Sequence, residues 1–227
     1  MLRLMDATPA PDLLTRAREL LARHPLIDGH NDLPWKIRTS KSAPGDLGAY
    51  DLATAAPDGG HTDLPRLRAG GIGGQFWSVY VPGEGPPAHA LLQLEQLDLA
   101  RRMIDRYPDD LEFCLTADDV ERAMAAGRIA SLLGMEGGHV LEGSLGALRA
   151  FSDLGARYLT LTHNTSNEIG GDYDGNTFLP QGMDDVSSYP VLFAELLARG
   201  WSEENLAKLA NRNILRVMRD AESVADG

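Results

Sequence analysis

The sequence predicts an α/β fold, a (β/α) barrel of parallel strands with its site on one rim, and three observations carry that prediction. Apolar, strand-like runs alternate along the chain with amphipathic, helix-like ones. The runs that start near 26, 129 and 157 each turn polar at their C-terminal end, as barrel strands do when they deliver side chains to a rim. The most concentrated of these ends lies in Leu26 to Trp35, LIDGHNDLPW, where apolar Leu26 and Ile27 give way to Asp28-Gly29-His30-Asn31-Asp32 before Pro34. Strand side chains alternate with period two, so His30 and Asp32 are expected to point the same way. An imidazole and a carboxylate converging at a strand end make two ligands of a divalent-metal site. They equally make an aspartate that orients a core histidine, and the pair alone leaves both readings open.

Composition bounds the rest. The chain has 227 residues, 43% of them hydrophobic, which suits one domain spanning 1–227 with a sizeable core. Its 21 basic and 33 acidic residues leave a net charge of −12, which argues against nucleic acid and anionic membranes as partners. One cysteine, Cys114, excludes an internal disulfide framework and suits reducing cytoplasm. The first 25 residues hold no uninterrupted apolar run of a signal peptide, and no later run approaches the ~18–20 residues that span a bilayer. No membrane anchor is therefore expected.

In order, Asp12 is placed to cap a helix through about Arg23, with Leu13, Leu14, Ala17, Leu20 and Leu21 on one face. The strand at Leu26 follows, and then a long loop from Lys36 to Asp63, rich in Ser, Gly, Pro and Asp. His61 lies in that loop outside any recognisable ligand motif, and a surface or loop-packing role is expected. Leu64 to Gly71 reads as a helical turn closed by glycines, and Ile72 to Val81 as a second strand. These glycines precede a strand, whereas a phosphate-binding loop follows one. Ala88 to Arg106 is an amphipathic helix whose His89 is expected to be exposed.

Thr116 is placed to cap a further helix, which Gly127 stops. The strand Ile129 to Glu136 then ends on an acid followed by two glycines. An acid ending an apolar strand is costly to bury unless it meets a cation, which makes Glu136 a candidate ligand. His139, just beyond, is expected to pack under its loop. Ser144 to Leu154 is helical, and Gly155 to Asn164 is a strand whose polar end carries His163. A last strand is expected near 168. Asp172 and Asp174 lack the partner acid that a glycosidase needs, and Ser131, Ser144 and Ser166 lack a nucleophile-elbow context.

HNDLPW at 30–35, GMEGGH at 134–139, LTLTHN at 159–164 and IGGDYDG at 169–175, with the tail motifs from Gly182 to Pro190 and from Leu196 to Val217, resemble the membrane dipeptidase (renal dipeptidase) family. That family consists of zinc-dependent barrel enzymes related to the amidohydrolases. The resemblance implies a barrel of the TIM/metal-dependent hydrolase type and hydrolysis of a dipeptide by metal-activated water. It implies His30, Asp32 and Glu136 as metal ligands, with Glu136 bridging two zinc ions. His163 would stabilise the oxyanion of the scissile carbonyl, and Asp172 would handle the proton of the attacking water. On their own residues, His163 and Asp172 read equally well as a packing group and a turn residue. A homodimer is implied at family level.

The match has a gap. The family has three further strand-helix units between LTLTHN and IGGDYDG, and two of those strands end in histidines that complete the second zinc site. Here only Asn164 to Glu168 separate the two motifs, too few for one crossover unit of about 30 residues. The chain's histidines, at 24, 30, 61, 89, 139 and 163, supply no replacement. The expected fold is therefore internally truncated, with five of eight strands recognisable and an open sheet prone to self-association. One zinc or none is expected, held by His30, Asp32 and Glu136, with impaired hydrolysis. The alternatives are a catalytically inactive remnant and a small-molecule binding protein.

Overall fold

The computed structural model describes residues 11–54, 60–83, 88–160 and 183–225. The first helix, α1 (Pro11–Arg23), buries Ala17, Leu20 and Leu21, the stripe expected from its spacing. It leads into β1 (Leu26–Asn31), the first of five parallel strands in one sheet. The others are β2 (Ile72–Ser78), β3 (Leu111–Phe113), β4 (Ile129–Glu136) and β5 (Ala156–Thr160).

The strand order is β1-β2-β4, and β3 and β5 share the far edge of β4 end to end. β3 pairs with 129–131 and β5 with 133–136. The sequence expectation missed β3, because Leu111-Glu112-Phe113 is too short to show a period. The strand expected near 168 lies outside the described residues. Among the described residues the sheet is open, with β1 at one side and β3 and β5 at the other.

The chain moves outward from β2 to β3 and back to β4, so right-handed crossovers put the intervening helices on opposite faces. α4 (His89–Asp105) sets Leu97, Ala100, Met103 and Ile104 in one core with Trp77, Leu133 and Met135. α1 and α7 (Tyr189–Ala198) share that core. α5 (Ala117–Ala125) and α9 (Asn213–Ala225) cover the other face, where Ala117, Val120, Ala123 and Leu215 meet Ile27, Phe76, Ala130 and Leu132. Helices on both faces leave all eight residues of β4 buried. Cys114 packs in the second core, and burial pushes its thiol up to about 12, so it is inert at neutral pH.

The remaining helices are α2 (Leu33–Arg38), α3 (Leu64–Ala69), α6 (Leu145–Asp153) and α8 (Glu203–Ala207), with a π-type turn at Lys208–Arg212 between α8 and α9. α2 corrects the start of the loop expected from Lys36: Pro34 lies in the first turn of a helix, where a missing N–H costs nothing. No helix among the described residues is long and apolar enough to cross a membrane.

Candidate metal centre

β1, β2, β4 and β5 present their C-terminal ends at one rim, while the short β3 stops below β5, and the polar residues gather at that rim. His30 lies near the end of β1, Asp32 just beyond it, Ser78 ends β2 and Glu136 ends β4. His30 and Asp32 converge, but not by simple strand alternation. The β1 register against β2 slips between Asp28 and Asn31, and the strand stops at Asn31. This irregularity re-aims the side chains at the rim, a common use of bulges. Asp32 is the N-cap of α2, yet its carboxylate makes no cap bond and turns to His30 instead. Asn31 takes over the turn: its Oδ1 accepts from the Leu33 N–H at 3.0 Å, and its Nδ2 donates to Thr62 Oγ1 at 3.0 Å.

Behind the bulge sits Asp28, buried. Its Oδ1 accepts from the His30 N–H at 3.0 Å and its Oδ2 from the Tyr189 hydroxyl at 2.7 Å. Burial raises the Asp28 carboxyl above the usual carboxylate range, against the pull of those hydrogen bonds and of the His30 charge. Tyr189 thereby ties the start of α7 to the strand that carries His30.

At the rim itself, His30 Nε2 lies 3.4 Å from Asp32 Oδ2 and 3.4 Å from Glu136 Oε2. One ligand atom from each of the three residues lies within 4.8 Å of the other two. The Ser78 hydroxyl donates to Glu136 Oε2 at 3.1 Å, and the other ring nitrogen of His30, Nδ1, meets the Tyr158 hydroxyl at 3.0 Å. Asp32 and Glu136 are 5% and 8% exposed, so two carboxylates have left bulk water side by side. Asp32 Oδ1 is buried without a hydrogen-bond partner, which costs about 1–3 kcal/mol or more for a charged group.

These features fit a metal ion. Donor atoms on a tetrahedral zinc with bonds of ~2.0–2.1 Å stand about 3.3–3.4 Å apart, the separation seen from His30 Nε2 to both carboxylates. A divalent cation would also take up the orphaned Asp32 oxygen and offset the burial of two negative charges.

The other expected residues divide. His163 and Asp172 lie outside the described residues. His139 packs under its loop as expected: Gly138–Leu141 forms a 3-10 turn, and His139 Nε2 bonds the Val81 carbonyl at 3.0 Å. His89 is a correction, half-buried rather than exposed, with its ring 5.1 Å edge-on from that of His139. Ser78 and Tyr158 were not foreseen. Ser78 is signalled faintly by a polar residue closing the apolar run Phe76-Trp77, whereas nothing local marks Tyr158.

The sequence pattern of the family described as membrane dipeptidase (Peptidase family M19) matches residues 14–169 and 168–227. The chain belongs to the membrane dipeptidase family. The two matched segments meet at residues 168 and 169, where three strand-helix units are expected and missing. Among solved structures, this family member is similar to dipeptidase AC, a metallopeptidase of family M19, with 29% identity and a TM-score of 0.51. That similarity covers 61% of this chain and 42% of the other, so the chain spans about two fifths of the length of that dipeptidase. A metallopeptidase from Rhodobacter sphaeroides, liganded with a phosphinate mimic of the dipeptide L-Ala-D-Ala, is 18% identical with a TM-score of 0.70, over 86% of this chain and 98% of that one. An amidohydrolase from Pseudomonas aeruginosa is 14% identical with a TM-score of 0.65, over 90% and 98%. These last two likenesses concern the fold, an α/β fold of the barrel-hydrolase type whose sheet is open among the described residues.

Proposed function

We propose that this chain is a metal-dependent dipeptidase of reduced capacity, holding one zinc ion through His30, Asp32 and Glu136. The observation that carries this reading is the orphaned, buried Asp32 Oδ1 beside an imidazole nitrogen placed 3.4 Å from each of two carboxylates. A bound zinc ion supplies Lewis acidity, polarising a peptide carbonyl and acidifying water.

The chain's own residues do the rest. His30 presents Nε2, Asp32 and Glu136 supply negative charge that retains a cation, and Ser78 holds Glu136 Oε2 in place. On the family resemblance, His163 stabilises the oxyanion and Asp172 moves the proton to the leaving amine. The substrate is a dipeptide, as the family and the phosphinate-liganded relative suggest. The protein acts in a reducing compartment, and a homodimer is its assembled form.

The test is zinc stoichiometry by elemental analysis on monodisperse protein, with hydrolysis of L-X-D-Y and L-X-L-Y dipeptides assayed on the same sample. One zinc per chain with turnover that a chelator abolishes is the expected result. Two zinc ions would mean that other groups replace the missing histidines and would overturn the single-metal reading. No zinc and no turnover would overturn the proposal in favour of an inactive remnant, the reading favoured by the absence of any histidine after His163.

A further inference from the structure

Tyr158 sits on β5, with β2 and β4 between it and β1, and yet its hydroxyl reaches His30 Nδ1 at 3.0 Å. The register explains how. Ser78 of β2, Gly134 of β4 and Tyr158 of β5 stand at one level across three neighbouring strands. Same-level residues of parallel strands point to the same face, so the tyrosine ring can lie along the sheet only if its neighbour has no side chain. Gly134 meets that need, since a Cβ built there would overlap the Tyr158 ring and hydroxyl. The ring is steadied on its other side by Phe76, 5.3 Å away and tilted by 40°.

The two nitrogens of an imidazole are not equivalent, and the hydrogen bond made by one decides how the other is presented. With Nδ1 engaged by the phenol, Nε2 is the nitrogen that faces Asp32 and Glu136. When Nε2 serves as a ligand, its lone pair must be free, so Nδ1 carries the proton and donates it to the Tyr158 oxygen.

The geometry points to Tyr158 as a positioning residue: through its hydroxyl it holds His30 as an Nε2 ligand, and Gly134 leaves the gap through which it reaches. This rests on the reading of His30, Asp32 and Glu136 as a metal site. Phe in place of Tyr158 keeps the ring and removes only the hydroxyl, so Tyr158→Phe in the full chain separates positioning from packing.

Three readouts are taken: the zinc dissociation constant by chelator competition, the visible spectrum of the cobalt-loaded protein, and the melting temperature of the metal-free protein. The expected result is a loss of zinc affinity of about 10–100-fold, the usual effect of removing a hydrogen-bond partner behind a ligand. A changed cobalt spectrum and a nearly unchanged melting temperature should accompany it. Gly134→Ala, if it folds, should weaken zinc in the same direction by displacing the ring. Wild-type affinity and spectrum in Tyr158→Phe would overturn the inference and leave the three-residue site intact. A wild-type chain that takes up no zinc would overturn the site itself. The inference about ring orientation is then decided by the His30 ¹⁵N resonances of the metal-free protein at fixed pH. A shift of Nδ1 in Tyr158→Phe supports it, and an unmoved Nδ1 overturns it.

Discussion

Glu112 and Glu136 are carboxylates on neighbouring parallel strands, one near the base of the sheet and one at its rim, and their surroundings differ in kind. Glu112 on β3 receives Arg122 at 2.8 Å and Arg128 on its other oxygen. Burial would raise its carboxyl, but these two guanidinium groups outweigh that and hold it below the usual carboxylate range. Glu136 on β4 instead meets the Ser78 hydroxyl and the His30 ring, next to Asp32 with its unpartnered oxygen. The base carboxylate is a staple with its charge already matched, joining β3, α5 and the start of β4. Among the described residues the rim carboxylate faces a neutral donor, an imidazole and a second acid, an arrangement that favours an added cation.

The largest expected effect tests that difference directly. Glu136→Gln should lower zinc affinity by at least ~100-fold, since an amide oxygen carries no charge for the cation. The metal-free protein should keep or slightly raise its melting temperature, because a buried charge has been removed while the Ser78 contact has an acceptor left. Unchanged zinc binding in this variant would break the comparison at its rim side.

The buried carboxylate behind the rim comes next. Asp28 is supported by the Tyr189 hydroxyl and the His30 N–H, and burial already raises it. Tyr189→Phe leaves one of its oxygens short of a donor, and urea unfolding should show a loss of about 1–3 kcal/mol. A loss below ~0.5 kcal/mol would show that α7 is not held to β1 by this bond.

How much of this was legible in the sequence depends on distance along the chain. His30, Asp32 and Glu136 stand out because each is a polar group closing an apolar run, a signal contained in a few residues. Their convergence was also legible, but its cause was not. A register slip in β1 and a cap position for Asp32 do what strand alternation was expected to do. Tyr158 was invisible because its role depends on Gly134 and on the alignment of β4 with β5, and no local pattern encodes a register. α2 was misread because proline stops a strand and starts a helix equally well. β3 was missed because three residues cannot show a period, although the ladder at the start of β4 needs them.

On the base side, Glu112→Gln should cost about 1–2 kcal/mol in urea unfolding, less than its two contacts suggest, since Arg122 is exposed and water screens part of the attraction. Zinc affinity should not move. A variant that loses zinc as well would show the base and rim to be coupled, and the contrast between the two glutamates would fall.

The smallest effect is on the acid limb of stability. Asp119 opens α5 in a capping box with Thr116: it accepts from the Leu115 and Thr116 N–H groups, and Arg122 lies 2.7 Å from it. Burial pushes its carboxyl up, but the Arg122 contact and these backbone donors pull it down to about 2. The folded state therefore binds this proton more weakly than the unfolded chain does. Its contribution is fully present above the ordinary aspartate value of 3.8 and is lost as pH falls toward about 2. Asp119→Asn keeps a side-chain oxygen for the cap and abolishes the titration. The stability gap between wild type and variant should therefore be widest above about pH 5 and close progressively below pH 4. If the two profiles run parallel through that window, the cap is held by geometry alone, and the base of the sheet owes less to matched charge than its contrast with the rim implies.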